Sequence, residues 1–445
     1  VAKKLLLVNP VNPRRRGLTN SHVVVIPPLG LGIVAALTGP EWDVEIFDEN
    51  FDRFEYREAD LVGLSAFTPN APRAYEIAAL YRSMGVPTVI GGIHASMLPH
   101  EALRHVDTVA IGEAESTWPQ ILLDFERNDL ERVYREDPTR SIKMSEARHD
   151  LFHERYLLDA LQTARGCPMD CNFCSVTTFN GRAYRQRDID EVLDDLETAS
   201  RNNLYLVDDN IYGYGERSRE RAISLFNGMR KRGMRKHWMS QASINFVDHK
   251  DVLEAAAESG CRLIFLGLEA NSTEALADVH KRLNLRYVDH YREAFRTFHD
   301  FGIAIFGGFI YGMESDTPDE LKRRTEFIRS SGVDAAQISM MTPLPGTRLY
   351  NQFERENRLL FTDYPGDWAR YDMTEVVFQP RLMSVDELSE AYFNSGVVNY
   401  NPAQVIMKYL TSLGSTRSAS SAAWAASVNS SYFSVGTVNT MQRIL

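Results

Sequence analysis

The run Leu161-Gln-Thr-Ala-Arg-Gly-Cys167-Pro-Met-Asp-Cys171-Asn-Phe-Cys174 carries three of the four cysteines in the chain. A secreted protein spreads its cysteines as a disulfide framework, whereas neighbouring cysteines in a reducing compartment act as metal ligands. Structural zinc takes four ligands, commonly as paired Cys-x-x-Cys knuckles. This run offers three, and the nearest histidine in sequence is His153. An iron–sulfur cluster holds soft thiolates, one at each iron corner. Three thiolates leave one iron of a four-iron cluster open. The spacing lets a short loop wrap a single cubane. Leu161–Ala164 reads as a strand, so the loop falls at a strand's end, where barrel enzymes place their chemistry. Cys261, at the start of a later apolar run, reads as a small buried core residue.

Working outward, apolar runs and helical periodicity alternate on both sides of this loop. Upstream, candidate strands are Lys4–Val8, Trp42–Asp48, Asp60–Ser65, Pro87–Gly91 and Thr108–Ile111. Helical patterns fall between them, one opened by Pro27-Pro28 in the favoured early position. The loop Asn9–Gly17 is rich in Asn, Pro and Arg. This alternation predicts a doubly wound parallel sheet that binds ligands at the carboxyl ends of its strands. Downstream, candidate strands are Leu161–Ala164, Leu204–Val207, Trp238–Ala242, Arg262–Leu268, Ile303–Ile310 and Ala335–Met341, with helices between. Six such units are too few for a closed eight-fold barrel, so an open, partial barrel is expected. The expected divisions are a first domain over 1–127, a linker over 128–155, a barrel over 156–355 and a small, mainly helical C-terminal region over 356–445. Ser412–Ser434, rich in Ser and Ala, reads as a mobile tail or a lid.

Composition narrows the function classes. The chain has 445 residues, 44% hydrophobic and 24% charged, with a formal charge of -11. That balance argues against a nucleic-acid partner, which leaves a clustered basic face. No stretch reaches the roughly 18 apolar residues of a membrane span. The apolar run Leu5–Val8 is shorter than a signal-peptide core and reads as a buried first strand. The expected location is the cytoplasm.

The cysteine spacing, with an aromatic (Phe173) just before the last cysteine, resembles the radical S-adenosylmethionine (radical SAM) superfamily. Other phrases strengthen the resemblance, among them Val207-Asp-Asp-Asn210, Ser240-Gln-Ala-Ser243, Gly267-Leu-Glu269 and Pro343-Leu-Pro-Gly-Thr347. Pro27-Pro-Leu-Gly-Leu-Gly32, Leu64-Ser65, Gly91-Gly-Ile-His-Ala95 and Ile111-Gly-Glu-Ala-Glu115 resemble the cobalamin-binding domain that precedes many of these enzymes. The resemblance covers roughly residues 1–400. One departure stands out. The Asp-x-His-x-x-Gly run, whose histidine ligates cobalt, is missing after the first strand.

The resemblance implies a 4Fe-4S cluster on Cys167, Cys171 and Cys174. Its open iron would chelate S-adenosylmethionine. Expected contacts to that cofactor are Phe173, Asp208 or Asp209 at the ammonium, Gln241, Ser243 and Glu269 at the carboxylate and ribose, and Met341 near the adenine. Expected cobalamin contacts are Pro28, Leu29, Gly30, Ser65, Gly91, Gly92, His94 and Glu113. Each has a structural alternative, since carboxylates at strand ends also cap helices or bond arginines. Arg182, Arg185 and Arg187 read as structural. The implied chemistry is reductive cleavage to a 5′-deoxyadenosyl radical, hydrogen abstraction from an unactivated carbon, and methyl transfer from methylcobalamin. A radical cyclisation, rearrangement or oxidation without methyl transfer is the alternative. A non-catalytic cobalamin or iron–sulfur sensor is a further one, although a carrier cluster normally has four protein ligands. Expected partners are a small-molecule or lipid-like substrate and a one-electron reductant such as flavodoxin or ferredoxin.

Overall fold

A computed structural model describes residues 2–15, 26–137 and 143–444, with backbone alone for 15 and 434–444. The end of the Asn9–Gly17 loop lies outside the described residues.

The N-terminal sheet holds β1 (Lys3–Asn9), β2 (Trp42–Asp48), β3 (Leu61–Ser65), β4 (Thr88–Gly91), β5 (Thr108–Ile111) and β6 (Val133–Arg135). All pairings are parallel, in the order β2-β1-β3-β4-β5-β6. β1 shows why. Leu6 and Val8 pack with Tyr75, Ile77 and Ala78, while Leu5 and Leu7 pack with Leu31, Trp118 and Ile121. Successive side chains point to opposite faces, and both faces are covered by helices, so the strand must be apolar throughout. The chain order reverses at β1, the switch point beside which sheets of this kind bind ligands.

β6 lies in the stretch expected to be a linker. It has three residues flanked by charges, too short for periodicity to register.

The second sheet contains β7 (Asp159–Leu161). β8 (Ala164–Arg165) leaves that sheet and pairs antiparallel with β9 (Arg185–Gln186). The sheet continues with β10 (Asn203–Leu206), β11 (His237–Ala242), β12 (Cys261–Glu269), β13 (Ala304–Tyr311) and β14 (Ala335–Met340). Its order, β14-β13-β12-β11-β10-β7, is wholly parallel, the open six-stranded barrel expected from sequence. The expected strand Leu161–Ala164 is thus split. Asp208, after β10, accepts bonds from the Thr163 and Ala164 backbone N–H groups at 2.6 and 3.1 Å and turns the chain out of the sheet.

The outward face of this sheet buries Leu204, Trp238, Ile264 and Ile305 against the helices. The inward face carries Tyr205, Met239, Leu263 and Phe306, which meet Ala425 and Val428. Those two belong to the terminal helix Ala419–Ile444, which lies along the concave side of the barrel. The Ser/Ala-rich stretch is therefore a packed wall and not a mobile tail. Small residues let the helix approach the sheet. Ser421 Oγ donates to the Gly302 carbonyl (2.6 Å), and Asn429 Nδ2 donates to the Asp334 carbonyl (2.8 Å). Ahead of it, the helix Val385–Tyr400 starts from a capping box between Ser384 and Glu387. No described helix is long and apolar enough to cross a membrane.

Candidate functional site

The cysteine loop runs from β8 to the short helix Ser175–Phe179. Two adjacent aspartates hold it. Asp208 is buried and receives Thr163 Oγ1 (2.6 Å) besides the two backbone N–H groups. Burial lifts its pKa to about 6 against those three donors. Asp209 accepts from the Gly166 N–H and from Asn180 Nδ2, each at 2.9 Å. Asn172, between the second and third cysteines, takes the Val279 carbonyl with its N–H and the Asp278 carbonyl with Nδ2. Cys171 is buried, while Cys167 and Cys174 are partly open. Burial pushes all three thiols up, a rise that backbone bonds at Cys167 and Cys174 and the Lys281 ammonium offset only in part. Among the described residues, no three Cys, His, Asp or Glu side chains converge on one point as a single ion would need. A cubane takes each thiolate at its own corner, so three soft donors spaced along one loop fit it.

The strand ends around the loop carry the other expected residues. Asp208 engages its carboxylate with three donors of the chain and so braces the loop. Ser243 Oγ accepts from Asn210 Nδ2 (2.9 Å). Gln241 points into the barrel beside Tyr205 and Met239. Glu269 closes β12 at φ +62° and pairs with Lys281 at 2.8 Å. Gly267 makes room for that pair, because a Cβ there would lie 2.6 Å from the Glu269 carboxylate and 2.8 Å from Lys281 Nζ. Met341 is 2% exposed and packs in the outward core, so its side chain serves the fold. Phe173 packs partly buried against the same core.

Between the two sheets lies a cleft of about 380 Å³. Its N-terminal wall includes Leu29, Gly30, Ser65, Gly91, Gly92 and Glu113. Its opposite wall includes Arg165, Val176, Phe179, Asn180 and Asp209, so it abuts the cysteine loop. Nothing lies within 4 Å of a Cβ built on Gly30, and a Cβ on Gly91 would meet only Ala110 at 3.8 Å. These glycines leave backbone open to a broad, flat ligand. Gly92 has φ +90°, which lets the chain turn sharply at the end of β4. Pro28 precedes the helix Leu29–Ala36 as its N-cap.

Two expected cobalamin contacts have other roles. His94 is fully buried, with Nε2 3.1 Å from Glu101 and Nδ1 3.4 Å from Thr68 Oγ1. It faces the interior, and no described side chain lining the cleft is a histidine. Glu113 reaches the cleft wall, but its carboxylate is held by Arg165 (2.7 Å) and Arg185.

A model of the radical SAM superfamily matches residues 161–360, and a model of the B12 binding domain matches residues 15–122. Bacteriochlorophyllide d C-12(1)-methyltransferase of Chlorobaculum tepidum is 30% identical over 407 residues, spanning 88% of this chain and 86% of that protein. The chain belongs to the radical SAM superfamily. Hopanoid C-2 methylase of Rhodopseudomonas palustris is 27% identical, over 78% of this chain and 68% of its own. Among solved structures, the radical SAM methyltransferase TsrM of Kitasatospora setae, with tryptophan and a SAM analogue bound, superposes with a TM-score of 0.70. That match covers 91% of this chain and 90% of the other at 17% identity, and so speaks for the fold.

As a radical SAM enzyme with a B12 binding domain, the protein uses a 4Fe-4S cluster, S-adenosylmethionine and cobalamin. The three free cysteines suit the cluster, and the open backbone at Gly30 and Gly91 in the neighbouring cleft suits a flat macrocycle. Two residues of this radical SAM site carry no motif of their own. Lys281 lies twelve positions past Glu269 and reaches the thiols only through the fold. Arg165 sits just before the first cysteine and binds Glu113 and Glu115 of the other domain. A basic residue beside a cysteine motif and an acidic Glu-Ala-Glu elsewhere were the available signals. Nothing in either run says that they meet.

Proposed function

We propose that the protein is a cobalamin-dependent radical SAM C-methyltransferase acting on an unactivated carbon of a small or lipid-like molecule. The observation that carries this reading is the glycine-lined cleft whose far wall includes Arg165 and Val176, the residues that flank the cysteine loop. Together, the bound groups would supply a 5′-deoxyadenosyl radical and a transferable methyl. Cys167, Cys171 and Cys174 are the proposed cluster ligands. Asp208 and Asp209 keep their loop in shape from behind. Glu269 and Ser243 sit at strand ends where they can orient the nucleoside and amino-acid parts of S-adenosylmethionine by hydrogen bonds. Leu29, Gly30, Ser65, Gly91 and Gly92 form the floor on which cobalamin would rest, and the Glu113–Arg165 pair fixes that floor relative to the loop. An external one-electron reductant of the flavodoxin or ferredoxin class would supply the electron. A cluster that must be reduced to work suits the cytoplasm. The relatives named methyltransferases and methylases support methyl transfer.

The test is anaerobic. The protein is reconstituted with iron, sulfide and cobalamin, desalted, reduced, and given S-adenosylmethionine. Retained cobalamin with both 5′-deoxyadenosine and S-adenosylhomocysteine formed is the expected result. Deoxyadenosine alone, without retained cobalamin, would remove methyl transfer from the reading.

A further inference from the structure

The barrel contains a second cavity, of about 370 Å³, distinct from the glycine-lined cleft. Tyr205, Met239, Phe265 and Phe306 floor it from four successive strands. Val428, Ser431 and Tyr432 of the terminal helix close it on the concave side, where a complete barrel would have further strands. Ile26, from the N-terminal domain, reaches its rim. Among the described residues, none of its lining side chains is charged. Its polar groups are the amides of Gln241 and Gln337, the hydroxyl of Ser431 and the tyrosine hydroxyls.

The contrast with the neighbouring cleft is chemical. Glu113, Glu115, Arg165 and Asp209 line the cleft, and so the charged groups stand there. The two spaces are contiguous along one strand: Tyr205 lines the cavity, and Val207, two residues on, lines the cleft. Residues i and i+2 of a strand share a face and lie about 7 Å apart. A molecule held over Tyr205 is therefore one side chain away from the cofactor cleft. The wall is built and not incidental. The terminal helix is tied to the barrel at Gly302 and Asp334, and Tyr432 stacks on Tyr400 with ring centroids 5.3 Å apart.

We infer that this cavity is the substrate pocket and that it takes a neutral, mainly apolar molecule or molecular segment, such as a ring system or an isoprenoid-like chain. One or two hydroxyl or carbonyl groups would meet Gln241, Gln337 or Ser431. A charged substrate group would be desolvated there with no partner, which is strongly unfavourable. The terminal helix is then the specificity-determining element. This inference rests on the enzymatic reading above, but its test does not depend on turnover.

Equilibrium dialysis of the reconstituted holoprotein compares N-phenyl-1-naphthylamine, which is neutral, with 8-anilino-1-naphthalenesulfonate, the same ring system carrying a sulfonate. The expected result is one neutral probe per chain, with the sulfonate bound on the order of tenfold more weakly. Saturating S-adenosylmethionine should not displace the neutral probe. Val428→Trp, which fills the cavity from the helix side, should weaken it by about tenfold or more, with iron content and circular dichroism serving as the folding check. Equal binding of the two probes, displacement by S-adenosylmethionine, or indifference to a folded Val428→Trp would each overturn the inference. If that variant does not fold, the two wild-type comparisons still decide. Failure of the enzymatic reading would appear elsewhere, as absence of 5′-deoxyadenosine.

Discussion

Arg165 Nη1 donates to Glu113 Oε2 at 2.7 Å across the boundary between the two sheets, and both side chains are less than one-tenth exposed. Arg165 also reaches Glu115 through Nη2 at 2.7 Å and Gln162 Oε1 through Nε at 2.7 Å. Arg185 joins on Glu113. The Ile-Gly-Glu-Ala-Glu run of the N-terminal domain is thus a clasp on the strand that leads to Cys167.

Removing the guanidinium leaves Glu115 without its arginine and Glu113 with Arg185 alone. Breaking a buried pair in this way costs about 3–5 kcal/mol. Arg165→Met is expected to lower the urea midpoint and to expose the chain between the domains to protease. Arg165→Met with Glu113→Gln should recover only part of the loss, since one of the two stranded carboxylates is then neutral and Glu115 stays charged. Lys143→Ala, which removes an exposed pair with Glu191, should leave the midpoint unchanged. Urea titration with limited proteolysis checks all three.

The cysteines separate by role. Cys171→Ala should abolish stable iron binding after reconstitution and with it 5′-deoxyadenosine formation. Cys261 is fully buried at the start of β12, with its thiol pushed far up by burial. Cys261→Ala should keep full iron content and cost only about 1–2 kcal/mol in packing. Iron and sulfide analysis per chain distinguishes them.

Gly30 and Gly92 should fail in different ways. Gly30 faces open space, so Gly30→Phe should fold normally and lose retained cobalamin, read from the visible spectrum after desalting. Gly92→Ala puts a Cβ 3.0 Å from Ser65 Oγ at a backbone conformation that favours glycine. It should cost about 1–3 kcal/mol of stability as well as weaken retention.

Acid should destabilise the protein through paired carboxylates. Burial alone would raise Glu101, Glu113 and Asp195. The bonds from His94 and Trp368 to Glu101, from Arg185 and Arg165 to Glu113, and from Arg187 to Asp195, with the His149 ring 3.6 Å from that carboxylate, outweigh it, so all three pKa values lie below the ordinary range. A depressed carboxylate stabilises the fold above its unfolded pKa of about 4 and loses that contribution as pH falls through the folded value. The thermal midpoint should therefore be insensitive to these groups above about pH 5 and drop below about pH 4. His94→Gln should shrink the drop. A midpoint that rises on acidification in that window would contradict the assignment.

Strands with continuous apolar runs were legible in the sequence, because burial on both faces leaves no room for polar alternation. β1, β3 and β5 are of this kind. The cysteine loop was legible because its donor type and spacing are local. What escaped depends on partners far apart in the chain. Asp208 looked like a free strand-end carboxylate, yet it bonds residues some 45 positions earlier. His94, in a glycine-rich loop, was expected at the cobalamin site, and Glu101 and Trp368 enclose it. The Ser/Ala-rich stretch looked weakly apolar. Its small residues are what allow a helix to lie against a sheet, a property of fit and not of composition.

The two aspartates after β10 have a consequence for assembly. Four hydrogen bonds to the backbone and side chain of residues 163–166 shape the cysteine loop without any help from iron. Its ordering entropy is thus lost when the barrel folds and not when the cluster enters. The approach to Cys167 is set by the chain's own hydrogen bonds, and preorganisation of this kind strengthens binding by removing a cost from the binding step. The two carboxylates spend their bonds on assembling the site and leave the cysteines to spend theirs on what it holds.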